Sequence, residues 1–378
     1  MPSTTSLLSP APAPSVPASA MPLISPNALL YAHLKQTPPR RPSNRAPSEP
    51  RPIQLNVGSL THCNGSSLVK IGSTTIVCGV RAEILPVTEI PSFRVTKSGS
   101  GSSSYTPTAP VVRDTRNKND DNDSEGEYSP ISLYNLVVPN IELGTGCSPR
   151  HPANAAPSTE AQSISQRLLS LLHTSQLVRS SDLEIIYTPP SNPENLELGI
   201  DTDPQLKAYW TLYIDMMCIS HGGSLFDAAW LALYAALKDT LIPKAWWDPD
   251  LEQVLCSAEV SDARRLSLRG MPVPSSFGVF VPEKRVLGTQ VVGKTGAAEK
   301  ESYWVLMDTD GFEEEACAEV GCITVDMKDS ATETPSILRI EKNGGSNVGV
   351  EQVLEIVGLA ERRWQQWKTT LDSALSSS

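Results

Sequence analysis

GSSLVKIGSTTIVCGV, residues 65–80, reads as two β-strands folded back on each other. Leu68, Val69 and Ile71 precede the punctuation Gly72-Ser73-Thr74, and Ile76, Val77, Cys78 and Val80 follow it. Apolar, β-branched runs on either side of a short glycine-bearing turn mark an antiparallel hairpin. Upstream, Ile53, Leu55 and Val57 alternate with polar residues, and the turn Asn64-Gly65-Ser66 joins them to the hairpin. Residues 53–85 therefore predict three antiparallel strands. Before them, Ser25 as N-cap and Pro26 at the first helical position open a short helix through Leu34, which stops at Thr37-Pro38-Pro39. Arg40 to Pro52 is a Pro-rich, basic connector, and residues 1–22 form a Pro/Ser/Ala tail expected to be disordered.

Downstream of the hairpin, residues 96–129 are first Ser/Gly-rich and then acidic, an insertion expected to be a disordered loop. A short apolar segment spans Leu133 to Leu143. A helix follows, with Ser158 or Thr159 at its cap and Ala161, Ile164, Leu168, Leu169 and Leu172 at helical spacing. Trp210 to Ile219 is a strongly apolar strand broken by Gly222-Gly223, and Leu225 to Leu237 is a helix apolar on most faces, which belongs inside a domain. A second unit begins near Lys244. Its charged stretch 258–270 reads as a surface loop, and strands are predicted at 277–281, 303–307, 323–327 and 337–340. The terminal helix runs from about Gly349 to Leu371, with Val353, Ile356, Val357, Ala360, Trp364 and Trp367 on one face.

The bulk numbers narrow the function. A length of 378 residues fits two domains at roughly 100–200 residues each, or one large domain with tails and insertions. The net charge of −11 lacks the basic footprint of an autonomous nucleic-acid binder, so positive potential for RNA would come from partners or a local patch. The seven cysteines include no CxxC pair and read as buried reduced thiols. Neither a signal peptide nor a membrane span is recognisable, so the expectation is a soluble intracellular protein with no membrane partner.

Several segments together resemble the RNase PH family and its eukaryotic exosome members. They are Arg41-Pro42-Ser43-Asn44-Arg45; the hairpin Gly65–Val80; Glu160-Ala161-Gln162 leading into Gln166-Arg167-Leu168-Leu169; Asp215 through Gly222-Gly223; and Leu306-Met307-Asp308 with Glu313-Glu314-Glu315. The segment Leu136 to Pro139 through Cys147 to Arg150 is similar to one particular eukaryotic ring subunit. The resemblance implies an α+β RNase PH fold (ribosomal protein S5 domain 2-like) with two βαβα-type halves. These would occupy 23–243, interrupted by the insertion 96–129, and 244–378.

What the resemblance implies for chemistry is a deficit. Phosphorolysis brings inorganic phosphate against a phosphodiester, and two anions need fixed cations, ideally bidentate arginines, and a carboxylate-held divalent metal. One family arginine falls at Pro157 here. The second, in a Gly-Thr-Arg element, falls at Leu225, after Gly223-Ser224, whose backbone N–H groups are expected to retain some attraction for an anion. The two metal carboxylates, six residues apart, fall at Glu315 and Gly321; a shift of one or two residues brings in Glu319. No catalytic residue, metal or cofactor is therefore expected. Arg94, Lys97, Arg113 and Arg116 are the expected RNA-backbone contacts.

The remaining candidates have plainer readings. His221 has no nucleophile or orienting carboxylate at a recognisable spacing and reads as a turn or surface histidine. Glu313-Glu314-Glu315 reads as a solvated acidic turn. Trp246-Trp247 and the pair Trp364 and Trp367 suit packing better than base stacking. Arg40, Arg41 and Arg45 fit a solvated linker as well as phosphate contacts.

The resemblance thus implies a non-catalytic ring subunit. Its partners would be other RNase PH-like subunits, cap subunits with S1/KH domains, an associated catalytic exonuclease and RNA in the ring channel. It would act in nucleus, nucleolus and cytoplasm, in rRNA processing and mRNA turnover. An active phosphate-dependent 3′-to-5′ exoribonuclease and a free-standing RNA-binding module are the alternatives.

Overall fold

A computed structural model describes residues 20–91, 93, 95–96, 106–107, 129–149, 151–152, 158–189, 204–282, 303–327, 335–344 and 349–377. Residues 1–19 of the tail 1–22 and almost all of the insertion 96–129 lie outside them, as do Arg94, Lys97, Arg113, Arg116 and Pro157; the end of the tail is not coil, because a short helix, Met21–Ile24, starts there.

The Gly65–Val80 hairpin sits within a six-stranded sheet. Strand β1 (Ile53–Val57), β2 (Gly65–Ile71) and β3 (Thr74–Pro86) run antiparallel in sequence order. Beyond them lie β4 (Val137–Leu143), β5 (Glu184–Tyr187) and β6 (Gln205–Ser220). β6 is longer than its apolar run predicts because β3 pairs with it from Thr75 to Pro86. Its other side carries β4, in parallel, and β5, antiparallel. From Leu212 to Ile219 burial alternates: Leu212, Ile214, Met216 and Cys218 point into the core, while Asp215, Met217 and Ile219 face out. Helix α1 (Pro26–Leu34) precedes the sheet, and α2 (Thr159–Ser175) covers β4, starting where Ser158 Oγ accepts the Ala161 N–H at 3.1 Å.

Helix α3 (Leu225–Asp239) is buried at every position from Leu225 to Leu237. An all-round apolar helix needs cover on all sides. One side is β2 and β3. Another is the antiparallel second sheet, ordered β8 (Trp304–Met307), β7 (Val273–Phe280), β9 (Glu319–Asp326) and β10 (Ser336–Gly344), with α4 (Gly311–Ala316) between β8 and β9. The terminal helix α5 (Val350–Ser377) packs on β1, β7 and β9 and buries Trp364 and Trp367. Close approach of α3 to β2 requires Gly65, where a Cβ would stand 2.5 Å from the Ala236 carbonyl oxygen.

Several expectations change. The connector is not solvated at Arg41: this side chain is fully buried and pairs with Glu313 at 3.1 Å, and Arg45 reaches Asp310 and Glu313. The reason is that α1 packs Leu30 and Leu34 onto Phe280, Leu306 and Ala316, drawing the connector across the second sheet. Glu313-Glu314-Glu315 is the body of α4, with Asp310 and Glu313 forming a capping box, rather than a solvated turn. Stretch 258–270 is not all surface, since Leu266 is buried and Arg264-Arg265 pairs with Leu241-Ile242. Cys256 is exposed, unlike Cys78, Cys147, Cys218 and Cys322.

Leu231 in α3 has no exposure. Leu231→Ala should lower the unfolding free energy by about 2–5 kcal/mol, read as a shifted urea midpoint with an unchanged m-value.

Candidate functional site

The sharp corner between β6 and α3 organises the cleft. Gly223 has φ +101° and Ser224 φ +44°. Only glycine fits at 223, because a Cβ there would lie 2.5 Å from the Asp310 carbonyl carbon. The corner's carbonyls are held from below: Arg51 donates to Gly222 O at 2.9 Å and to Gly223 O at 3.1 Å, and Thr74 Oγ1 donates to Gly223 O at 2.8 Å.

Arg51 is itself fixed by Asp308. Its Nε and a terminal nitrogen donate to the two carboxylate oxygens at 3.0 and 2.8 Å, and its backbone N–H adds a bond of 2.7 Å. Arg363 stands 3.6 Å from Asp308 and 3.1 Å from Asp227, whose carboxylate accepts from the Ser276 N–H and hydroxyl. Burial works against charge on Asp308, yet Arg363 and the Arg51 bonds hold its carboxyl well below the usual range. Burial prevails at Asp227 and pushes its carboxyl up despite Arg363.

On the solvent side lies a cleft of about 450 Å³ whose walls include Glu160, Arg167, His221, Leu225, Glu314 and Lys342. Its donors and acceptors are largely engaged with one another. The Ser224 N–H donates to Glu314 Oε1 at 2.7 Å, and the Gly223 N–H donates to His221 Nδ1 at 3.3 Å. With Nδ1 accepting, His221 Nε2 carries the proton and donates to Glu160 Oε1 at 3.2 Å. His151 Nε2 lies 3.7 Å from the other Glu160 oxygen. Arg167 packs over the Phe226 ring and donates from Nε to Glu341 at 2.8 Å; Lys342 pairs with Glu319 at 3.2 Å. Burial raises the Glu314 carboxyl above its ordinary value, with the Ser224 N–H opposing.

Sequence-derived positions divide sharply here. Leu225 stands in the first turn of α3 and lines the cleft with hydrocarbon where a guanidinium was sought. Glu315 is exposed and does not line the cleft; Glu314 does. Successive helical residues differ by about 100° around the axis, so one step in sequence exchanges cleft for solvent. Six residues beyond Glu314 is Val320, and beyond Glu315 is Gly321; both line the cleft, and neither side chain has a donor atom. A Cβ at 321 would meet Phe277 Cζ at 2.4 Å, so no acidic side chain fits there. Glu319 is buried on β9 and does not line the cleft. Among the described residues, positions 314 and 320, or 315 and 321, do not supply the two carboxylates, six apart, that the resemblance implies for a metal.

His221 is not a bare turn histidine: Glu160, 61 positions away, orients it. That pairing left no trace in local spacing. The Asp310-x-x-Glu313 capping box was the local signal that α4 begins there, and with it the side that Glu314 takes.

Residues 49–243 match the model of a 3′ exoribonuclease family, domain 1, called RNase PH. The chain is 30% identical over 227 residues to the exosome complex component rrp43 of Schizosaccharomyces pombe, covering 60% of this chain and 62% of that protein. This accords with the sequence-level likeness of Leu136–Arg150 to the subunit called ribosomal RNA-processing protein 43. It is 20% identical over 339 residues to the exosome complex component Rrp42 of Thermococcus gammatolerans, covering 89% and 91% of the two chains. Among solved structures, the Archaeoglobus fulgidus exosome with RNA bound to the active site superposes with a TM-score of 0.54 at 17% identity, covering 91% of this chain and 96% of that one. An archaeal exosome core gives 0.52.

Asp308→Asn should cost about 3–5 kcal/mol at neutral pH, as expected for removing one partner of a buried ion pair. The asparagine tolerates the positive φ of this position. Because the folded carboxyl lies below its unfolded value, its stabilisation is present above about pH 4 and is lost as pH falls further. The gap between the wild type and the variant in thermal melts should therefore narrow only under strong acid.

Proposed function

Since the chain belongs to the RNase PH family of 3′ exoribonucleases, we propose that it is a non-catalytic subunit of an exosome ring, scaffolding the channel through which RNA reaches a separate nuclease. The observation that carries this reading is the composition of the cleft: Leu225 at the mouth of α3, with carboxylates Glu160 and Glu314 beside it. Bringing inorganic phosphate to an RNA phosphodiester requires positive charge fixed at the meeting point. Here the cations of the cleft already have partners, Arg167 with Glu341 and Lys342 with Glu319. Two carboxylates at the same place would repel an incoming phosphate.

Ring membership is supported by surface chemistry as well as by kinship. Met217 and Ile219 are half-exposed on the outer face of β6, and Ile340 is half-exposed on β10, an edge strand of the second sheet. Apolar area and open strand edges of this kind favour burial against neighbours. The partners proposed are other RNase PH-like subunits, S1/KH cap subunits and a catalytic exonuclease, in nucleus, nucleolus and cytoplasm. Arg94, Lys97, Arg113 and Arg116 are proposed for RNA-backbone contact, whereas the net charge of −11 speaks against autonomous RNA binding.

Affinity purification of the tagged full chain should recover RNase PH-like subunits in equal amounts, and the purified chain should release no nucleoside diphosphates from RNA on addition of phosphate. Recovery as a monomer would remove the ring assignment. Phosphate-dependent release of nucleoside diphosphates by the purified chain would remove the non-catalytic one.

A further inference from the structure

We propose that Glu314 is a built-in anion that fills the Gly223–Ser224 corner and closes it to inorganic phosphate. The inference rests on the non-catalytic reading of the cleft and says how the corner is kept shut.

Two consecutive residues of positive φ, Gly223 and Ser224, stand at the N-terminus of the 15-residue helix α3. Successive N–H groups in a turn form an anion-binding concavity, and the dipole of the helix that starts at Leu225 adds positive potential. In this chain both donors already have partners. The Ser224 N–H is taken by a Glu314 carboxylate oxygen at 2.7 Å, and the Gly223 N–H by the His221 lone pair at 3.3 Å. The first contact has the length of a charge-assisted hydrogen bond.

Glu314 is delivered to this place by rigid structure. The N-terminus of α4 lies backbone to backbone against the corner, where Gly311 N–H donates to Gly222 O at 3.2 Å. The Asp310–Glu313 capping box sets the start of α4, and the buried Arg41–Glu313 pair at 3.1 Å ties the helix to the connector. A carboxylate held by its own helix competes at high effective concentration against any anion from solution. Glu160, on the same cleft and hydrogen-bonded to His221, adds like charge against an incoming phosphate. Two features of the cleft thus converge: an anion-shaped corner and an internal anion seated in it.

The test is a calorimetric titration of inorganic phosphate, at ionic strength matched with chloride, into the full chain and three variants. Glu314→Ala removes the internal anion and should bind phosphate at least roughly tenfold more tightly than the wild type, the scale of an unmasked hydrogen bond to a charged group. Glu314→Gln keeps an acceptor oxygen but no charge and should show a smaller gain. Glu315→Ala, on the exposed side of α4, should behave as the wild type. A folded Glu314→Ala protein with unchanged phosphate affinity overturns the proposal, as does a wild type that binds as tightly as that variant. If Glu314→Ala does not fold, Glu314→Gln decides, and equality with the wild type is then fatal. Unchanged phosphate affinity in folded, inactive variants sinks only the plug, while nucleoside diphosphate release by the wild type sinks the non-catalytic reading.

Discussion

A buried group of two arginines and two aspartates, Arg51, Arg363, Asp227 and Asp308, joins parts of the chain that share no hydrogen-bonded strands. Asp308 follows β8, Asp227 lies in α3, Arg51 ends the connector before β1, and Arg363 belongs to α5. Each of these charges would be costly alone in a low-dielectric interior; together they balance, and the remaining oxygens take backbone and hydroxyl donors. Breaking one member leaves another uncompensated, so the arrangement acts as a single unit. It fixes the connector, the central helix, the second sheet and the terminal helix relative to one another.

The same unit reaches the cleft. Arg51 bonds to the carbonyls of Gly222 and Gly223 from inside, so the position of the corner follows from the position of Asp308. On the other side of Asp308, Asp310 caps α4, and α4 carries Glu313 inward to Arg41 and Glu314 to Ser224. Charge at the cleft is therefore mixed: Glu160 and Glu314 stand beside Arg167 and Lys342, which are paired with Glu341 and Glu319. The connector arginines Arg41 and Arg51 are drawn into the interior as structural counter-ions, and carboxylates line the cleft. A cation placed inside a fold stabilises it; the same cation at the mouth of α3 would stabilise a bound phosphate.

Where sequence reading succeeded, the signal was local. Period-two alternation located β1, β2 and β3, and the unbroken apolar run from Leu225 onward located a helix covered on all sides. The start of that helix was equally visible, because Gly223 and Ser224 stand immediately before it. Where it failed, the missing information was rotational or long-range. Glu314 and Glu315 are indistinguishable as letters, yet about a 100° turn of the helix separates cleft from solvent. Arg41 reads as a linker residue until Glu313, 272 positions away, is brought against it. His221 lacks a carboxylate neighbour in the chain and acquires one from α2 in space.

The amino-acid order by itself determined the element types, the kinship with 3′ exoribonucleases and the absence of a guanidinium at the head of α3, since each depends on residues close together along the chain. Tertiary structure alone decided which glutamate enters the cleft, which arginines become internal counter-ions, and that the Gly223 and Ser224 N–H groups already have partners. Those outcomes depend on helix rotation and on pairings between residues 90 to 272 positions apart, where the free energy of burying a charge is settled by what packs beside it.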